Sequence, residues 1–156
     1  MKEKAKELLN RLSLYKHKMN GKVRFAEVDS FGVVHNIRYF FWIEAARTEY
    51  FSNLGIELTP TTFIREMPFM VVHADIDYLN AARFNDEYYV FSRVAAVKNS
   101  SLTFENIITL KNDLPLVSAS ATLVHLNIKD NKSQRIGEDI RLLLNKYEGE
   151  NIKFLD

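Results

Sequence analysis

From residue 69 onward, apolar positions dominate four long stretches that are rich in Val, Ile, Tyr, Phe and Thr. Stretches rich in β-branched and aromatic residues and separated by short turn segments predict β-strands. The predicted strands span residues 69–79, 86–97, 102–111 and 116–128. Short turn segments at 98–100 and 111–113 separate the last three strands, so antiparallel hairpins are the natural connection.

Three other stretches of the chain follow a helical spacing. The predicted helices span residues 2–13, 37–54 and 138–147. Gly55 follows the second helix at the usual position of a C-terminal cap. Asn20-Gly21 predicts a turn, residues 22–28 a short strand, and residues 56–68 a loop in which Thr59-Pro60 could start a short helical turn. A long helix followed by a run of strands predicts an α+β fold, with one antiparallel sheet packed on one main helix.

The 37–54 helix is apolar on more than one side. One wide face carries Tyr39, Phe40, Ile43, Ala46, Tyr50, Phe51 and Leu54. Phe41 and Trp42 fall outside this face, so we expect the helix to be covered by a curling sheet or by a second subunit as well. Arg47 lies within the apolar face and needs a partner there. Glu44, three residues earlier, is the nearest candidate for an ion pair.

Composition limits the classes of protein. The 156 residues, 47% apolar and 26% charged, predict a single domain over residues 1–156 with its core at about 22–140. The absence of cysteine excludes disulfides, cysteine nucleophiles and thiolate zinc sites. The net charge of +1 provides no global field to attract nucleic acid or a membrane. No spacing of His, Asp or Glu predicts a metal site, and no motif requires a cofactor.

The N-terminal segment is basic. Residues 1–24 contain eight Lys or Arg and two Glu, a net charge of +6. Acidic residues are interleaved on the predicted 2–13 helix, so a solvated helix face is the favoured interpretation and docking of an acidic partner is the alternative. No stretch is long and apolar enough to cross a membrane, and the first residues lack the features of a secretory signal. With no cysteine either, we expect the protein in the cytoplasm.

Polar chemistry concentrates at the junction between residue 29 and the start of the main helix. Asp29 precedes the helix, and Gly32 permits a tight or left-handed turn. A helix that starts near Asn36 leaves free backbone N–H groups in its first turn, which can stabilise a developing oxyanion. A nearby carboxylate could act as nucleophile or general base on an activated acyl compound, although an Asp before a helix is more often a cap.

This junction resembles the signature of the hotdog-fold acyl-CoA thioesterases of the 4-hydroxybenzoyl-CoA thioesterase type. The matching residues are Asp29, Gly32, Val34, His35-Asn36, Tyr39 and Glu44-Ala45-Ala46-Arg47. The likeness continues at 77–87 and 101–104 and covers about residues 22–140. The resemblance implies an antiparallel sheet of about five or six strands wrapped around one long central helix. It also implies a homodimer or homotetramer with active sites at the interface between protomers.

The resemblance also implies roles for individual residues. Asp29 matches the catalytic carboxylate, and the N–H near Asn36 would bind the carbonyl oxygen. His35 and Tyr39 match positions that shape the site. Lys98, Ser100 and Ser101 are in a turn that the resemblance puts near the coenzyme A groove, although they are also typical turn residues.

The implied activity is hydrolysis of an acyl-CoA thioester to free acid and coenzyme A. The order His35-Asn36 departs from one common subgroup, which has an aromatic residue followed by His, so the acyl group stays open. Two alternatives share the fold. One is an acyl carrier protein (ACP) thioesterase, whose acidic carrier would dock on the basic N-terminal arm. The other is a non-catalytic module for acyl-CoA binding or assembly.

Overall fold

The computed structural model of the protein describes residues 2–57, 59–65 and 68–156. The helices are α1 (Lys2–Arg11), α2 (Asn36–Asn53), α3 (Pro60–Arg65) and α4 (Glu138–Glu148), with short 3-10 turns at Leu12–Leu14, Phe25–Glu27 and Gly149–Asn151. The strands are β1 (His17–Lys22), β2 (Phe69–Tyr78), β3 (Glu87–Val97), β4 (Ser101–Leu110), β5 (Pro115–Asn127), β6 (Lys132–Ser133) and β7 (Lys153–Phe154). None of the helices in these ranges is long and apolar enough to span a bilayer.

Five long strands form an antiparallel sheet in the order β1-β3-β4-β5-β2. Two-residue strands extend it, because β6 pairs with β5 and β7 pairs with β3 in parallel. Helix α2 packs on the inner face of this sheet and divides the core in two. Its first half, through residues such as Trp42, packs against β3, β4 and β5, where the Trp42 and Tyr88 rings stack with centroids 3.9 Å apart.

The second half of α2 belongs to another cluster, which α4 and the C-terminal segment complete. Tyr50 and Phe51 pack there against Phe104 of β4 and Leu144 of α4. Glu148, at the end of α4, accepts hydrogen bonds at one carboxylate oxygen from the Tyr50 hydroxyl at 2.6 Å and from the Val94 N–H at 3.0 Å. Burial raises the pKa of Glu148, and these two hydrogen bonds offset part of the rise.

Helix α1 covers part of the outer face of the sheet. Leu8 is buried there with Tyr15 and Ile107. Lys4 and Arg11 lie 2.8 and 2.7 Å from the carboxylates of Asp77 and Glu105. Part of the basic charge of the N-terminal segment is therefore neutralised within the protomer.

The four predicted long strands, the helices and the hairpin turns are confirmed to within a few residues. The predicted strand at 22–28 is wrong, because the chain forms a 3-10 turn at Phe25–Glu27 and the first strand lies earlier, at His17–Lys22. The turn expected at Asn20-Gly21 is also wrong. Gly21 lies within β1, where a Cβ atom would collide with the Tyr88 ring, so the glycine permits close packing and marks no turn.

The sheet covers only part of the apolar surface of α2. Phe40, expected on the buried face, is 39% exposed, and Phe41 is 53% exposed. Trp42, expected outside that face, is buried against Tyr88. The sheet therefore reaches further round one side of α2 than the spacing predicted, and leaves the opposite side open within the protomer.

Candidate active site

A tight turn fixes the Asp29 carboxylate. Its Oδ1 accepts a hydrogen bond from the Phe31 N–H at 2.8 Å and a longer one from the Val33 N–H at 3.5 Å. The backbone closes the same turn, with the Asp29 N–H donating to the Val33 carbonyl at 2.8 Å and Gly32 at φ 74°. Oδ2 has no hydrogen-bond partner among the described residues. The turn therefore orients the carboxylate through one oxygen and leaves the other available.

The start of α2 presents an unused backbone donor. His35 is the N-cap, and its Nδ1 accepts a hydrogen bond from the Ile37 N–H at 3.4 Å. The Asn36 N–H has no acceptor within the described ranges. Because the first N–H groups of a helix point out of its positive end, Asn36 can donate to a negatively charged or developing oxyanion.

A buried carboxylate that sequence reasoning missed braces this junction. Glu27 accepts hydrogen bonds from the Trp42 indole at 3.0 Å and from the Arg24 guanidinium at 2.9 Å, and its carbonyl accepts from the His35 N–H at 2.9 Å. Burial alone would raise the pKa of Glu27, but the hydrogen bonds from Arg24 and Trp42 lower it below its usual value. Glu27 thus connects the segment before Asp29 to both the start and the body of α2.

The 81–83 segment supports the other side of the junction. The Val34 N–H donates to the Ala82 carbonyl at 2.9 Å, and the Ala82 N–H donates to the Tyr39 hydroxyl at 3.1 Å. The Tyr78 hydroxyl donates to the Asn36 carbonyl at 3.1 Å. Burial raises the pKa of Tyr39. Tyr39 therefore fixes the position of the helix start and keeps its proton at neutral pH.

Two open grooves meet at Asn36. One, of about 410 Å³, runs along the exposed side of α2 and is lined by His35, Asn36, Ile37, Phe40, Phe41 and Glu44. The other, of about 290 Å³, includes Asn36, Tyr39 and Tyr78 in its lining. His35, Asn36 and Tyr39 are thus brought together at the helix start, a short way along the chain from Asp29. An extended ligand could pass Asn36 with one part in each groove.

Lys98, Ser100 and Ser101 lie elsewhere in the protomer. Lys98 and Ser100 lie in the turn between β3 and β4, and Ser101 begins β4; the Lys98 N–H donates to the Ser101 carbonyl at 2.8 Å. The strand residues beside this turn pack with the end of α2. Since α2 rises about 1.5 Å per residue, this end is about 27 Å from Asn36. The structure does not bring these three residues to the helix start of the same chain.

The sequence model of the thioesterase-like superfamily matches residues 23–144. The chain belongs to this superfamily. This thioesterase-like chain is 28% identical to the acyl-CoA thioesterase YbgC of Haemophilus influenzae over 120 residues, which cover 77% of this chain and 88% of the relative. It is 29% identical over 128 residues to the chloroplastic acyl-acyl carrier protein thioesterase ATL3 of Arabidopsis thaliana, covering 80% of this chain and 65% of that one.

Among solved structures, this member of the thioesterase-like superfamily is similar to a thioesterase from Thermus thermophilus in complex with coenzyme A and zinc. The TM-score is 0.77 at 27% identity, with 87% of this chain and 96% of that chain covered. These findings confirm the hotdog fold and the enzyme class, a thioester hydrolase. Within the described ranges, no three His, Asp or Glu side chains come together as a metal site requires.

Proposed function

We propose that the protein hydrolyses acyl-CoA thioesters at the junction between Asp29 and the start of α2. One observation supports this most strongly. A carboxylate held by its own turn through Oδ1 precedes a helix whose Asn36 N–H has no acceptor within the described ranges. Ester-type hydrolysis needs both of these groups, a nucleophile or base and an oxyanion donor.

In the proposed reaction, the thioester carbonyl oxygen accepts a hydrogen bond from the Asn36 N–H. Asp29 then acts in one of two ways. As nucleophile, Oδ2 attacks the carbonyl carbon, the carbon–sulfur bond breaks, coenzyme A leaves as the thiolate, and water hydrolyses the resulting anhydride. As general base, Asp29 takes a proton from the water that attacks, and that proton passes to the leaving thiolate. Both routes give the free acid and coenzyme A.

We further propose that the active unit contains at least two copies of the chain. Strand β2 is the last strand of the sheet, and its outer edge pairs with no described strand. Met70, Val71 and Val72 are exposed on it, and the apolar residues Ile37 and Phe41 are exposed on α2. A long, exposed, apolar edge strand favours pairing with another strand. A second copy would cover both surfaces and close the groove beside Asn36.

The carrier-protein alternative has support of its own. ATL3, one of the relatives, is named an acyl-acyl carrier protein thioesterase. The basic N-terminal segment could attract an acidic carrier, although Lys4 and Arg11 are engaged with acidic side chains of the sheet. The cytoplasm stays a prediction from the cysteine-free sequence.

A thiol-release assay tests the proposal. Wild-type protein is offered saturated acyl-CoAs of increasing chain length, an aromatic acyl-CoA, and the same acyl groups on ACP. We expect turnover of at least one acyl-CoA. Turnover of the carrier-bound substrate alone, with an affinity that weakens as salt rises, would replace the proposal by the ACP hypothesis. Binding of acyl-CoA without any turnover would favour the non-catalytic module.

A further inference from the structure

A third pocket, a cavity of about 200 Å³, lies between α2 and the inner face of the sheet. Its apolar lining residues are Phe40, Ile43, Val71, Ala74, Ala119 and Ala121. Phe40 and Glu44 also line the groove beside Asn36. An acyl chain whose carbonyl is bound at Asn36 could therefore continue along α2 from the groove into this cavity.

The cavity contains a cation that has no hydrogen-bond acceptor among the described residues. Arg47 lines it, is partly buried, and has no hydrogen bond or ion pair within the part of the chain that the structure describes. The direct ion pair expected with Glu44 is not formed, because the Glu44 side chain is exposed. Burial lowers the pKa of Arg47, and the charge of Glu44 offsets part of this effect. A partly buried guanidinium whose donors make no hydrogen bond is unfavourable unless water or a ligand accepts from it.

The cavity also contains a buried acceptor without a donor. Asn106 is 1% exposed and lines the same cavity. Its Nδ2 donates to the Ser92 hydroxyl at 2.7 Å and weakly to the Phe91 carbonyl at 3.5 Å, while Oδ1 has no partner among the described residues. The Phe91 carbonyl can only accept, which favours this orientation of the amide over the flipped one. Oδ1 is therefore a buried acceptor that lacks a proton donor.

The unused donor and the unused acceptor in this cavity determine which chemical group at the far end of an acyl chain binds there most favourably. A methyl end would leave both Arg47 and Asn106 Oδ1 unsatisfied. A carboxylate could accept from Arg47, but Glu44 and Asp75 also line the cavity and give it a net negative charge. A hydroxyl can accept from Arg47 and donate to Asn106 Oδ1 at the same time.

The position of the cavity along α2 sets the length of the acyl chain that can reach it from Asn36. At about 1.5 Å per residue, the part of the cavity between Ile43 and Arg47 lies about 10 to 16 Å from Asn36. Carbon–carbon bonds of about 1.5 Å at an angle of about 111° advance about 1.25 Å each, so a straight chain needs about 8 to 13 bonds to reach it. A single aromatic ring on the carbonyl is shorter than this.

Resting on the proposed function, we infer that Arg47 and Asn106 are specificity residues that favour a medium-length aliphatic acyl group carrying a hydroxyl at its far end. The inference adds the substrate class to the reaction at Asp29.

The test compares three thioesters of equal length: dodecanoyl-CoA, ω-hydroxydodecanoyl-CoA and the ω-carboxylate dodecanedioyl-CoA. Their kcat/KM values are measured with wild type, Arg47→Met and Asn106→Leu. Arg38→Met is the matched control, because Arg38 is on the same helix but does not line the cavity. Binding of the same three compounds to Asp29→Asn by calorimetry provides a second readout that does not depend on turnover.

We expect wild type to favour the ω-hydroxy compound over dodecanoyl-CoA by about 10- to 100-fold, as one or two hydrogen bonds to a charged and a buried group allow. The preference should fall towards one in Arg47→Met and Asn106→Leu and persist in Arg38→Met. Hydrolysis of dodecanoyl-CoA with no hydroxyl preference would overturn the inference and leave the proposed function intact. Preference for the ω-carboxylate would also overturn it. If no thioester is hydrolysed, the proposed function fails, and the binding ratios alone decide the inference.

Discussion

The oxyanion donor at the start of α2 can be removed with one substitution, Asn36→Pro. Proline lacks the backbone N–H and is tolerated at the first position of a helix, where this N–H makes no intrahelical bond. The residue before a proline must be extended, and His35 already is, at φ −60° and ψ 133°. The substitution therefore deletes the proposed donor with little reason for the helix to move.

The expected loss follows from the geometry of the helix start. The Asn36 N–H is unpaired within the described ranges, while the neighbouring Ile37 N–H is directed at His35 Nδ1 at 3.4 Å and is at best a partial substitute. Removal of one oxyanion donor typically lowers kcat by about 10²–10³-fold, or about 2.7–4 kcal/mol of transition-state stabilisation. Ground-state binding should change little, since a neutral carbonyl accepts a weaker hydrogen bond than an oxyanion.

The assay is steady-state hydrolysis of whichever acyl-CoA the wild type turns over, with circular dichroism to establish that α2 is retained. Asn36→Ala is the matched control, because it removes the same side chain and keeps the N–H. We expect a large fall in kcat for the proline variant and a small one for the alanine variant. Equal kcat values for the two variants would refute the role of the backbone donor.

Three further predictions concern assembly and stability. Val72→Lys places a charge on the exposed edge of β2 and should convert the proposed dimer to a monomer in light scattering; an unchanged mass would exclude this edge as the interface. Glu27→Gln should lower the free energy of unfolding by about 1–3 kcal/mol in urea titrations at neutral pH, because an amide N–H₂ group faces donors from Arg24 or Trp42; wild-type stability would contradict the bracing role. Burial raises the pKa of Glu148, so the folded state binds the Glu148 proton more tightly than the unfolded chain does. The free energy of unfolding of wild type should therefore fall as the pH rises above the ordinary pKa of a glutamate, by at most about 1.4 kcal/mol per pH unit. Glu148→Gln should flatten this slope, and parallel curves for the two proteins would contradict the assignment.

The local patterns along the chain were sufficient to predict the long strands and the main helix, because the strands are rich in β-branched and aromatic residues and the helix keeps a helical spacing of apolar residues. They failed where the conformation of a residue depends on contact with another residue that is distant in the sequence. Gly21 lies in a strand because the Tyr88 ring, far along the chain, needs the space of a side chain. Phe25–Glu27 is a turn and not part of a strand, because Glu27 accepts from Arg24 and from Trp42 of α2.

The candidate residues next to the start of α2 could be chosen from the sequence, whereas the residues that surround them could not. Asp29, His35 and Asn36 are close in sequence, so their arrangement is local. Asn106 and Glu27 were missed because their surroundings come from separate strands and from α2, and neither residue has a distinctive spacing. Lys98 is distant from Asn36 within the protomer, since the β3–β4 turn lies beside the opposite end of α2.

Single-turnover thiol release from bound acyl-CoA by Asp29→Asn is the most direct test of the account. Asparagine can still accept the turn hydrogen bond from the Phe31 N–H, so the loop should persist. Asp113→Asn is the matched control, at an exposed turn position whose φ of 64° asparagine tolerates. We expect a rate lower by about 10³-fold or more for Asp29→Asn, with acyl-CoA affinity retained and the control at the wild-type rate. A wild-type rate for Asp29→Asn would contradict the central claim that this carboxylate drives thioester hydrolysis.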